Sequence, residues 1–144
     1  MIRAATELDA GRLGVILSDH MDRTEWLPSL NSKAEVIHHC GHMISNGWVH
    51  VHADHRINGF IAVRKNDVLA LYIDLAEQRR GIARSLVEFV QHQRQSLNAW
   101  VYQYNSAACT FYASLGFRPL AASNGDHNDE GLPDIHYRWD HSPS

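Results

Sequence analysis

The stretch VLALYIDLAEQRRGIARSLVEFVQHQRQ, residues 68–95, reads as a strand, a tight turn and a helix. Residues 68–75 form an almost unbroken apolar run with one acid, Asp74, near the end, the pattern of a strand buried on both faces. From Gln78 to Ala83 the chain turns. Beyond the turn Ile82, Leu86 and Val90 recur four apart, with Ala83 and Val87 beside them, so one stripe of a helix faces a core. Gly81 and small residues form the first helical turn, with Arg79, Arg80 and Arg84 nearby. A helix N-terminus offers unpaired backbone N–H groups and the positive end of the helix dipole, and both suit a phosphate. No Gly-Lys-Ser/Thr follows, so this is not a nucleoside-triphosphate P-loop, and one glycine is too few for a dinucleotide-binding turn.

Outward from this unit the pattern stays regular. Upstream, strands at 48–53 and 58–64 precede the strand at 68–75, with turns at Asp54-His55-Arg56 and Lys65-Asn66-Asp67. Ser32-Lys33-Ala34-Glu35 fits a capping box for a helix that runs to about Ser45 and stops at Asn46-Gly47. A short strand at 2–5 and a helix capped by Thr6, running to about Asp19, open the chain. Trp26-Leu27-Pro28 interrupts any continuous helix after it. Downstream, residues 99–104 alternate, with Trp100, Tyr102 and Tyr104 on one side. A short helix at 107–115 and a strand pair at 117–122 and 135–139 follow, joined by a polar loop at 123–133.

Strands that begin antiparallel and then alternate with helices imply an α/β (α+β) three-layer domain, a mixed, mostly antiparallel sheet of six to seven strands flanked by helices. The 144 residues suit one domain, 1–144, with a real core, and 44% hydrophobic with 20% charged residues is ordinary for a globular protein. No apolar run approaches the roughly 20 residues of a membrane span, and the first ten residues lack a signal peptide's apolar core. Cys40 and Cys109 make no disulfide framework, so a reduced, cytoplasmic protein is expected, without membrane association. A net charge of −3 argues against nucleic acid as the main partner.

The segment Asn105-Ser106-Ala107-Ala108-Cys109-Thr110-Phe111-Tyr112-Ala113-Ser114-Leu115-Gly116-Phe117 resembles the Asn-x-x-Ala-x-x-Phe-Tyr-x-x-x-Gly-Phe segment of the GNAT-type N-acetyltransferase superfamily at every constrained position. Gln78-x-x-Gly81-x-Ala83 is similar to that superfamily's (Gln/Arg)-x-x-Gly-x-(Gly/Ala) turn, in the same strand–turn–helix setting. The same residues also have structural uses: Asn105 as a helix cap, Phe111 and Leu115 as a core pair four apart, Gly116 as a helix stop.

The resemblance implies acetyl transfer from acetyl-CoA to a primary amine in one direct step. It implies that backbone groups at Ile73 and Leu75, beside Asp74, hold the pantetheine arm and polarise the acetyl carbonyl. Gln78, Arg79, Arg80, Gly81, Ile82, Ala83 and Arg84 would take the pyrophosphate, and Asn105 and Ala108 would flank the arm. Tyr112 would protonate the leaving thiolate, a task suited to a phenol with a reference pKa of about 10. Asp67, at the start of the strand, stands where some relatives carry a general base, although Asn66-Asp67 is also an ordinary turn pair. Trp26 and the loop acids Asp126, Asp129 and Glu130 are candidates for contact with a cationic acceptor, a small amine or a protein amine. A homodimer is the assembly left open.

Two other readings compete. A catalytically weak acyl-CoA-binding regulatory module would keep the turn and lose turnover. A metal-binding protein would use the histidines, with His38 and His42 four apart on one helix face and His50 and His52 on one strand face. Zinc needs more converging ligands than these, so surface histidines are expected and no metal.

Overall fold

The computed structural model describes residues 1–23, 32–78, 80–126, 128 and 131–141. In chain order the elements are β1 (Ile2–Ala4), α1 (Ala10–Arg23), α2 (Lys33–Ser45), β2 (Val49–Ala53), β3 (Ile57–Arg64), β4 (Asp67–Ile73), α3 (Ile82–Gln91), β5 (Ser96–Tyr102), α4 (Ser106–Ser114), β6 (Arg118–Ser123) and β7 (Asp134–Asp140). One-turn 3-10 helices precede α1 at Glu7–Asp9 and follow β4 at Leu75–Glu77.

The seven strands form one mixed sheet in the order β1-β2-β3-β4-β5-β7-β6. Every neighbouring pair is antiparallel except β4 and β5. Two helices cover each side. Leu13 and Ile16 of α1 and Val36, Cys40 and Met43 of α2 bury against Val49, Val51, Phe60 and Ala62. On the other face Leu86, Val87 and Val90 of α3 and Tyr112 of α4 meet Ile61, Val63, Leu97, Ala99 and Val101. β3 lies between the two cores, and all its residues except Arg64 are buried.

Local chemistry sets the helix ends. Ser32 caps α2 by accepting the Glu35 N–H, and Gly47 at φ +75 ends it, as the sequence implies. Asn105 caps α4 through the Ala108 N–H, and Phe117 N–H returns to Tyr112 O past Gly116 at φ +90. Three boundaries differ from the sequence reading: α1 runs on to Arg23 rather than about Asp19, β5 spans Ser96–Tyr102 rather than 99–104, and β4 ends early. β4 stops at Ile73, because the Asp74 carboxylate accepts the Ala76 N–H and caps a 3-10 turn. Leu75 therefore stands beyond the strand and cannot extend its pairing edge.

Candidate active site

The site begins with a break in the sheet. β4 and β5 pair only through Asp67↔Asn98 and Val68↔Ala99 among the described residues, and then diverge. A bulge in the β3–β4 ladder between Ala62 and Val63 resets the alternation of β4. Asp74 N–H bonds Asn58 O on β3, so alternation directs the backbone groups of Tyr72 and Ala70 to β3 and those of Ile73 and Leu71 into the gap. The gap is a cleft of about 370 Å³, walled by β4, β5, Ala83 of α3 and Asn105, Ala108, Phe111 and Tyr112 around α4.

At the mouth of the cleft stands the Gln78–Ala83 turn. Gly81 precedes α3 at φ +76, a conformation glycine adopts without a Cβ penalty, and an added Cβ would meet nothing within 4 Å. The backbone is thus open to a ligand at the helix N-terminus. A smaller hollow of about 300 Å³ at this point is lined by Gln78, Gly81, Ile82, Ala83 and Arg84. Gln78 Nε2 donates to Ile73 O at 3.1 Å, which tightens the turn against the strand. Arg84 reaches Ser114 Oγ at 3.3 Å. Arg80 pairs with Glu77 and, at 3.7 Å, with Asp54, so its charge is already matched on the β2–β3 side. Among the described arginines Arg84 is therefore the better placed for an anion, and Arg80 braces the turn. Arg79 lies outside the described residues.

Tyr112 lines the cleft from α4 and is 7% exposed, packed against Phe111, Phe117 and Tyr137. Burial, and secondarily the charge Tyr72 would carry, pushes its phenol well above the ordinary tyrosine range. Tyr72 lines the same cleft, and its side chain packs with the α1–α2 core, so the two phenols approach through the gap.

Asp74 does not line the cleft. It holds Arg12 of α1 and, at 3.3 Å, Arg56, and Arg12 also donates to Ile57 O. Burial raises the pKa of Asp74, but the Ala76 amide and the arginines outweigh it and hold the carboxyl below its usual value. Asp67 sits at the closed end of the gap, where Asn98 Nδ2 donates to it at 3.1 Å, and it lines none of these cavities.

On the α1 side of the sheet a second cavity, about 330 Å³, is lined by Leu69, Tyr72, Trp100, Tyr102, Asn128 and Asp134. Four of these residues, Leu69, Tyr72, Trp100 and Tyr102, also line the first cleft, so the two spaces meet across the gap. Asp134 is 4% exposed and accepts from Ser123 Oγ at 2.6 Å. Asp126 is exposed and lines none of these cavities, while Trp26, Asp129 and Glu130 lie outside the described residues. The acid at the second cavity is Asp134, which the sequence reading left between the polar loop at 123–133 and the strand at 135–139. His20 was missed too. It lines the cleft, and its Nε2 donates to Ile73 O at 2.5 Å. Its signal was a histidine continuing the Leu13, Ile16, Leu17 stripe of α1. No group of three or more metal-ligating side chains occurs among the described residues.

A splayed parallel strand pair with a glycine turn at its mouth and a lining of aromatic and amide side chains leaves an elongated cleft open to a ligand. The model of the acetyltransferase (GNAT) domain matches residues 43–119, more than half of the chain. The chain belongs to the GNAT acetyltransferase family, which uses acetyl-CoA as cosubstrate. Peptidyl-lysine N-acetyltransferase YiaC of Escherichia coli is 34% identical over 65 residues, a stretch spanning 44% of this chain and 44% of that protein. In fold the chain is similar to apo YjaB of Escherichia coli, with a TM-score of 0.79 and 22% identity over 96% of each chain. It is similar also to yncA of Salmonella typhimurium, a putative acetyltransferase solved with acetyl-CoA, at a TM-score of 0.75 and 17% identity over 100% of this chain and 96% of that one. At these identities the two structures speak to the fold alone. No helix of the described residues is long and apolar enough to cross a membrane.

Proposed function

We propose that the protein is an acetyl-CoA-dependent N-acetyltransferase acting by direct transfer to a primary amine. The splay of β4 from β5 carries this reading, because it leaves the Leu71 and Ile73 N–H groups facing a cleft that ends at an open helix N-terminus. Those groups suit an added, strand-like arm, and the Gly81 turn with Arg84 suits its pyrophosphate. Bound acetyl-CoA supplies a thioester carbonyl that an amine can attack. The Leu71 or Ile73 N–H is a fixed donor for charge that develops on a carbonyl oxygen in the gap. Tyr112 holds a proton at its hydroxyl and gives it to a departing thiolate. Burial favours that neutral phenol over tyrosinate.

The acceptor enters through the second cavity. Trp100, Tyr102 and Tyr72 form its walls and Asp134 supplies negative charge, a combination that favours an alkylammonium on approach. A lysyl side chain fits this description, and the similarity to a peptidyl-lysine acetyltransferase makes lysine peptides the first acceptors to try. Calorimetry with acetyl-CoA, followed by turnover over a panel of lysine peptides, N-terminal peptides and small amines, tests the reading. The expected result is acetyl-CoA binding and turnover of at least one lysine peptide or diamine. Binding with no turnover across the panel would favour a regulatory acyl-CoA-binding module.

A further inference from the structure

Asp67, Asn98 and His136 form a hydrogen-bonded chain across three strands. Asn98 Nδ2 lies 3.1 Å from Asp67 Oδ1, and His136 Nε2 lies 2.8 Å from Asn98 Oδ1. The donors and acceptors assign themselves. An ionised carboxylate only accepts, so the Asn98 amide turns its NH2 to Asp67 and its oxygen to His136. That oxygen also only accepts, so His136 carries its proton on Nε2, and the neutral ring has its lone pair on Nδ1. His136 is stacked on Trp100 with ring centroids 4.6 Å apart and planes at 11°, and Trp100 lines both cavities. Along β7, His136 is two residues from Asp134, a wall of the acceptor cavity, on the same strand face at about 7 Å spacing.

We propose that this chain makes His136 the proton acceptor for the incoming amine, reached through one water, with Asp67 and Asn98 as positioning residues. The inference rests on the acetyl-transfer reading. The alkylammonium first loses one proton to water; as the neutral amine's N–C bond forms and the C–S bond breaks, a second proton leaves the nitrogen for His136 Nδ1 and one passes from Tyr112 to sulfur. The imidazolium then releases its proton to water and Tyr112 regains one from it, so the only proton left over is the one the alkylammonium lost. The charged groups facing His136 are Asp134 and Arg138 on its own strand; β5 presents Trp100 and Asn98, and Ala121 of β6 is its uncharged partner. Asp67 is thus recast from direct base to the anchor of one.

The test uses the full chain with 15N-labelled histidine, acetyl-CoA as donor, and as acceptors a peptide with a single lysine and spermidine. Wild type should show His136 as the Nε2–H tautomer by long-range 15N–1H correlation, and Asn98→Ala should give a tautomer mixture while Trp100 and His136 stay in place. His136→Gln should lower kcat/KM about 10²-fold and abolish its acidic limb, with acetyl-CoA affinity unchanged. Asn98→Ala should lower kcat/KM less and move that limb. An Nδ1–H tautomer in wild type, or an unaltered acidic limb in His136→Gln, overturns the proposal while wild-type turnover stands. Wild-type protein that binds acetyl-CoA and acetylates neither these acceptors nor any other member of the amine panel overturns the acetyl-transfer reading, and the proton role with it.

Discussion

On the acetyl-transfer reading Tyr112 is a proton donor, and its burial keeps the phenol neutral until the thiolate departs. Tyr112 is buried, and it lines the cleft from α4. Tyr112→Phe removes one hydroxyl and leaves the ring among Phe111, Phe117 and Tyr137. We expect kcat to fall about 10²–10⁴-fold in steady-state assays, with acetyl-CoA affinity intact by calorimetry. Near-wild-type kcat with chemistry rate-limiting would hand the role to water. The raised pKa also makes a stability statement. The folded-state value lies above the ordinary 10, so the contribution is complete below pH 10 and is lost as pH rises through the folded-state value. Thermal melting should stay level to about pH 10 and drop above it, and the drop should be shallower in Tyr112→Phe.

Between elements, two connections set the cleft. The first is electrostatic: Arg12 of α1 grips Asp74 and Ile57 O, which ties α1 to the end of β4. Arg12→Met keeps most of the stem and leaves a largely buried carboxylate with Arg56 as its remaining arginine partner. Loss of a charged hydrogen bond of this kind costs about 2 kcal/mol, read as a lower urea midpoint with unchanged slope. An unchanged midpoint would mean that α1 is held by packing alone. The second is the Gly81 turn. Gly81→Asp forces a side chain into φ +76 and sets a negative charge at the α3 N-terminus. The variant should stay folded and bind acetyl-CoA at least about tenfold more weakly, about 1.4 kcal/mol. Wild-type affinity in folded Gly81→Asp would move the pyrophosphate site elsewhere.

For the whole molecule, the splay is a gap in an otherwise continuous seven-stranded ladder. The Leu71 and Ile73 amides face it without a strand partner among the described residues, so they should exchange hydrogen faster than those of Tyr72 and Ala70, which face β3. An arm bound in the gap completes the ladder. Saturating acetyl-CoA should slow exchange at Leu71 and Ile73 selectively and raise the melting temperature, by mass action equivalent to about 2.7 kcal/mol at a hundredfold excess over Kd. Global protection without that selectivity would mean the ligand sits outside the gap.

How much of this was legible beforehand depended on distance along the chain. The 68–95 unit, the Ser32 and Asn105 caps, the helix stops and the alternation of β5 all rest on residues within a few positions of one another. Periodicity and turn chemistry act at that range, so the sequence by itself determined the elements, their order and the GNAT membership they define. Even the end of β4 escaped, because Asp74 stops the strand through a local cap reinforced by an arginine from α1. The side-chain meetings were beyond that range: Arg12 with Asp74 across 62 positions, His20 with Ile73 across 53, His136 with Asn98 across 38. Strand register, the bulge in β4 and the twist of the sheet decide those pairs, and no short pattern encodes them. Only the tertiary structure therefore decided that Arg80 is paired away, that Asp134 rather than Asp126 lines the second cavity, and that the β4–β5 ladder opens where it does.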